Sequence, residues 1–107
     1  MAKYLVFWRF KRDQFGISDS EQMEKVLGML MSEVAEYLKN GNLRDWGVSV
    51  DGIHGYGIFQ MDILELQKYW MLKAPYIEAL EILQVTNFEE TQKNMQSAME
   101  ARKAMQK

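Results

Sequence analysis

Residues 3 to 10, KYLVFWRF, alternate in the manner of a strand, and both alternating sets are largely apolar. Tyr4, Val6, Trp8 and Phe10 share one side; Leu5 and Phe7 share the other. Such a strand requires cover on both faces. The polar run KRDQFGISDS follows, and Ser18 with Glu21 has the spacing of a capping box, whose side chains satisfy free N–H groups at a helix start. Met23, Val26, Leu27, Leu30, Met31, Val34 and Leu38 then recur at helical spacing, and Asn40-Gly41 supplies a left-handed stop.

Trp46, Val48 and Val50 alternate with Gly47, Ser49 and Asp51, which predicts a half-buried strand ending in an Asp51-Gly52 turn. A partner strand runs through Tyr56, Ile58 and Phe59. Asp62 with Glu65 caps a second helix carrying Ile63, Leu66, Tyr69 and Trp70, and Pro75 ends it by disfavouring helical geometry at Ala74. YIEALEILQV, residues 76 to 85, makes the last strand. Thr86 with Glu89 opens a polar C-terminal helix with a thin stripe of Phe88, Met95, Met99 and Met105.

This order, β-α-β-β-α-β plus a terminal helix, is the split βαβ pattern of ferredoxin-like folds. The expectation is one α+β domain over residues 1–107, with its core in 1–85 and the extra helix at 87–105. In that fold the strands lie in the order fourth, first, third, second, all antiparallel, with both main helices on one face. The other face is open. Because the first strand is apolar on both sides, a second copy stacked sheet to sheet is the simplest cover, with Tyr4, Val6, Trp8 and Trp46 as candidate interface residues.

KYLVFW, DWGVSVDGIHGYGIFQ and PYIEALEILQV together resemble a family of small bacterial and archaeal domains of unknown function among the dimeric α+β barrel proteins. Relatives of that family include muconolactone isomerases, antibiotic-biosynthesis monooxygenases and haem-degrading enzymes. The resemblance spans roughly residues 1–85. It implies a homodimer whose open faces close a barrel, with a small molecule bound in a cavity between sheets or between sheet and helices. Isomerase or cofactor-free oxygenase activity is what those relatives suggest, and no catalytic residue carries over. Lys11-Arg12 stands in place of the polar-proline turn of the family pattern, and the polar C-terminal helix also departs from it. The haem-degrading relatives use a helix-borne histidine, whereas His54 lies in a strand or turn.

Composition narrows the field. The 107 residues are 48% hydrophobic with one proline, which suffices for a single core. A net charge of −2 provides no basic field to draw phosphate backbones, so nucleic acid is disfavoured as a partner. With no cysteine, disulfides, thiolate metal sites and thiol nucleophiles are excluded. The N-terminal run is far shorter than the roughly 18 apolar residues of a membrane span and lacks a small-residue cleavage site. A soluble cytoplasmic protein without membrane attachment is expected.

Four glycines and the only histidine crowd into DWGVSVDGIHGYGIFQMD, residues 45 to 62. Gly52, Gly55 and Gly57 do not make the dinucleotide fingerprint, and strand follows them instead of a helix start. Gly55 and Gly57 are expected to let a helix approach the sheet. HGYGIFQM echoes the octamer of RNA-recognition motifs, but Ile58 occupies the fifth, base-stacking position and Met61 the last. A lone histidine without a companion motif builds no metal site, and no cofactor is expected.

Topology brings Trp8, Arg9, His54, Tyr56, Tyr76 and Glu78 to one end of the sheet. If they share a face, Arg9 would hold an anion, His54 or Glu78 would move a proton, and Trp8 with Tyr56 would wall an apolar pocket. The simpler alternative is a cross-strand ion pair of Arg9 with Glu78 beside a solvated His54. A noncatalytic protein-interaction or regulatory module, using the sheet face or the terminal helix, is the competing function; RNA binding ranks third.

Overall fold

The computed structural model describes residues 2–11 and 20–106. Ser18, half of the first expected capping box, lies outside the described residues. The elements run β1 (Lys3–Phe10), α1 (Ser20–Asn40), β2 (Leu43–Val48), β3 (His54–Gln60), α2 (Ile63–Lys73), β4 (Ile77–Val85) and α3 (Phe88–Met105). The four strands form one antiparallel sheet in the order β2-β3-β1-β4. This is an α+β arrangement that matches the ferredoxin-like pattern, with α3 added.

Local chemistry explains the boundaries. Gly41 has φ +89°, a conformation that costs a glycine little, and the Asn42 N–H donates to Asn40 Oδ1 at 2.9 Å, so α1 stops there. Gly52 has φ +72°, and Asp51 Oδ1 accepts from the Ile53 and His54 N–H groups, which closes the β2–β3 turn. Asp62 caps α2 by accepting from the Leu64 N–H at 2.8 Å. The effect expected of Pro75 on Ala74 is not seen, since Ala74 keeps helical φ and ψ of −50° and −36° as the C-cap. The chain turns after it, with the Tyr76 N–H donating to the Lys73 carbonyl. At α3 the capping box sits one residue later than Thr86 and Glu89: Asn87 and Glu90 exchange both hydrogen bonds. Strand β2 begins at Leu43, ahead of Trp46, and ends before Val50.

The core lies on one face of the sheet. Tyr4, Val6, Trp8 and Phe10 of β1 pack with Leu43 of β2 and Phe59 of β3 against Leu30 and Val34 of α1 and Leu66, Tyr69 and Trp70 of α2. The interface role expected of Tyr4, Val6 and Trp8 therefore falls on residues buried within a single protomer, because both helices cover that side of β1. Trp46 is partly buried against the same core. The uncovered side of β1 carries Leu5, Phe7 and Arg9, which pair in register with Ile58, Tyr56 and His54 of β3. Glu33 Oε2 of α1 and Lys73 Nζ of α2 form a 2.8 Å ion pair that ties the helices together.

Candidate functional site

A cavity of about 290 Å³ lies between α1 and the helix-covered face of the sheet. Trp8 and Trp46 form one wall, their rings stacked with centroids 5.8 Å apart and planes inclined by 20°. Tyr69 and Trp70 of α2 form another, and Leu30, Met31 and Val34 of α1 close the third. All three tryptophans of the chain line this space. Met31 and Leu27 are half exposed, so the cavity opens to solvent along α1. The aromatic walls present flat apolar surfaces suited to a planar or hydrocarbon-like guest.

Close packing at two glycines sets the sheet side of this wall. A Cβ at Gly55 would overlap the Trp8 ring and approach the Gly47 carbonyl, and one at Gly57 would lie 2.9 Å from the Phe59 ring. The close approach expected of a helix is thus made by the Trp8 indole. Without a side chain at Gly55, the indole can cross β3 and reach Trp46.

Two polar atoms are buried within the helical layer. Among the described residues neither the buried Trp70 indole Nε1–H nor the buried Glu33 Oε1 has a hydrogen-bond partner. A buried donor left unpaired costs about 1–3 kcal/mol, and this N–H is closed off from the cavity space and from solvent alike. Burial, reinforced by the Glu33 charge, pushes the Tyr69 phenol well above its ordinary range. At neutral pH Tyr69 is a neutral hydroxyl and no base.

The sequence-expected cluster divides between the two faces. Arg9, His54, Tyr56 and Glu78 share the uncovered face, while Trp8 lies beneath the helices, so Trp8 and Tyr56 do not wall a common pocket. Arg9 Nη2 donates to Glu78 Oε2 at 3.0 Å, the cross-strand pair of the simpler reading. His54 Nδ1 lies 2.7 Å from Asp51 Oδ2, and since a carboxylate only accepts, Nδ1 carries the proton. Hydrogen bonds from the His54 and Ile53 backbone N–H groups, then from the His54 ring, hold the Asp51 carboxyl far below its ordinary value. Tyr56 donates its hydroxyl proton to Asp45 Oδ2 at 2.9 Å, which raises the phenol. Tyr76 serves the backbone, its carbonyl accepting from the Lys11 N–H at 2.9 Å. These groups satisfy one another at the surface.

Phe7 and Tyr56 face each other across β1 and β3 on this side, the one point where the RNA-motif echo has a structural counterpart. Asp45, Glu78 and Glu81 lie near them in the sheet register, against Lys3 and Arg9, so the face is no basic track. Among the described residues no group of three or more His, Asp or Glu side chains is placed to hold a metal ion, and no helix is long and apolar enough to cross a membrane. Comparison with protein-family models, with curated proteins and with solved structures finds no match.

The residues that line the cavity were visible in the sequence only as a core stripe. Met23, Leu30, Met31 and Val34 have the spacing of any buried helix face. The usable signal was the tryptophan content, because three indoles in 107 residues are hard to place in so small a core without leaving space between them.

Proposed function

We propose that the protein binds a small, largely apolar molecule in the cavity between α1 and the sheet, within a homodimer that closes the two uncovered sheet faces into an α+β barrel. The observation that carries the binding reading is the aromatic cavity itself, about 290 Å³ and lined by Trp8, Trp46 and Trp70. Leu5, Phe7 and Ile58 on the uncovered face support the dimer, replacing Tyr4, Val6 and Trp8 as its contact residues.

This is a reading of binding and not of turnover. Among the described residues Tyr69 is the only ionisable side chain on the cavity wall, and its raised pKa keeps it protonated near neutrality. Arg9, His54 and Glu78, the groups able to do acid–base work, lie on the other face of the sheet. The isomerase and oxygenase activities implied by the family resemblance draw no support from this wall.

Intrinsic fluorescence tests the proposal, since every tryptophan borders the cavity. Titration with 1,4-naphthoquinone, an apolar acceptor-bearing quencher that meets no cysteine here, is expected to quench saturably. Val34→Phe fills the cavity from α1 and is expected to abolish saturation while the protein stays folded by circular dichroism. Quenching that rises linearly with concentration and is the same in both proteins would be collisional, and the cavity would then hold no guest.

A further inference from the structure

Helix α3 extends from the domain without burying a single residue. Phe88, Met95, Met99 and Met105 are 60–84% exposed, and the molecule's longest axis reaches 69 Å against 27 and 26 Å for the others. Yet the helix is well made. A reciprocal capping box starts it, acidic Glu89 and Glu90 lie in its first turn, and basic Arg102 and Lys103 lie in its last. An 18-residue helix with so little apolar surface is marginal alone in water, and this one has the form of an element built to meet something.

The charge pattern identifies the occupant. At about 100° per residue, Phe88, Met95 and Met99 fall within roughly 40° of one another and form the stripe. Glu89 and Lys103 both lie along the same edge of that stripe, roughly 60–100° from Phe88, and at opposite ends of the helix. In an antiparallel pair the like edges of two helices face each other. Glu89 of one copy then meets the partner's Lys103, and the symmetry makes the contact twice. Met95 and Met99 interleave near the two-fold axis, and the helix dipoles oppose favourably. A parallel pair instead sets each edge against the partner's opposite edge at the same height, which leaves Glu89 beside uncharged Thr91 and brings Lys103 beside Arg102, which repels.

The geometry points to α3 as a self-recognition helix that pairs antiparallel with α3 of a second copy of this chain, on a surface separate from the sheet face. The pairing gives the stripe its cover and uses the opposite charges at the two helix ends.

Cysteine cross-linking of the full chain tests this directly, because the natural sequence contributes no thiol. Glu89→Cys and Lys103→Cys chains are co-expressed and treated with a short bis-maleimide. Antiparallel pairing predicts that the mixed product dominates over either homo-product, and that adding Met95→Glu and Met99→Glu to both chains eliminates it. Both methionines are solvent-exposed, so these changes leave the domain folded, which the thermal unfolding midpoint verifies. Dominant homo-products would overturn the antiparallel arrangement. A dimeric mass with no cross-link would overturn the α3 pairing and leave the sheet-face dimer standing, and a monomeric mass would remove both.

Discussion

A methyl group added at Gly55 would overlap the Trp8 indole, whose ring crosses β3 at that position to stack on Trp46. Backbone conformation is not the reason for glycine here; the space is already taken. Gly55→Ala must therefore displace Trp8, and overpacking of this kind costs about 1–3 kcal/mol. In a domain of this size that appears as a fall of roughly 5–20 °C in the thermal midpoint. Gly28 provides the contrast, since nothing lies within 4 Å of a Cβ there and it sits inside α1. Gly28→Ala is expected to stabilise by about 0.5–1 kcal/mol through helix propensity. Equal effects of the two changes in differential scanning fluorimetry would dismiss the packing account of Gly55.

Element boundaries show what a single sequence can and cannot reveal. Asn40-Gly41, Asp51-Gly52 and Asp62 each specify a stop, a turn or a cap by local chemistry alone, and the structure has each where the residues imply it. Thr86 and Asn87 are different: both can cap, and each has a glutamate three residues on, so the pattern is degenerate and the tie falls to Asn87. The faces of β1 pose the same difficulty at larger range. Both sides are apolar, and only the placement of α1 and α2 decides that Tyr4, Val6 and Trp8 are core while Leu5 and Phe7 stay uncovered. The irregularities at Phe7/Trp8 and Leu43/Asp45 shift the register in a way that no period-two pattern reports. The capping at α3 makes its own prediction. Asn87→Ala should remove about 1 kcal/mol from the helix start, raising amide exchange through the first turns of α3. The midpoint of the core should not move, because α3 buries none of its residues. A lowered core midpoint would mean that α3 and the domain unfold together.

The whole molecule has a radius of gyration of 18.4 Å, where a compact chain of this length would have about 13 Å. The protruding α3 accounts for the excess, and its stripe and the uncovered sheet face are the two places for further contact. Phe7 lies near the middle of the sheet face, opposite Tyr56 on one side and Glu81 on the other. Phe7→Glu should break the sheet contact by burying a charge in it, and with Met95→Glu and Met99→Glu added to remove the α3 pairing the light-scattering mass should fall to that of a monomer. Quenching by 1,4-naphthoquinone should persist, because the cavity lies on the opposite side of β1. An unchanged mass would place any dimer contact elsewhere.

The separation of the two faces also explains why the candidate chemistry was hard to read. Arg9, His54 and Glu78 cluster as the topology predicts, but they do so on the face away from the cavity, and that assignment depends on three-dimensional packing. The indole N–H resonances of Trp8, Trp46 and Trp70 therefore test the central claim most directly when 1,4-naphthoquinone is added to isotope-labelled protein. The account predicts a saturable shift at these indoles, which border the cavity, while the amides of Arg9, His54 and Glu78 stay in place. Indoles that do not move, beside a saturable response at Arg9 and His54, would contradict it.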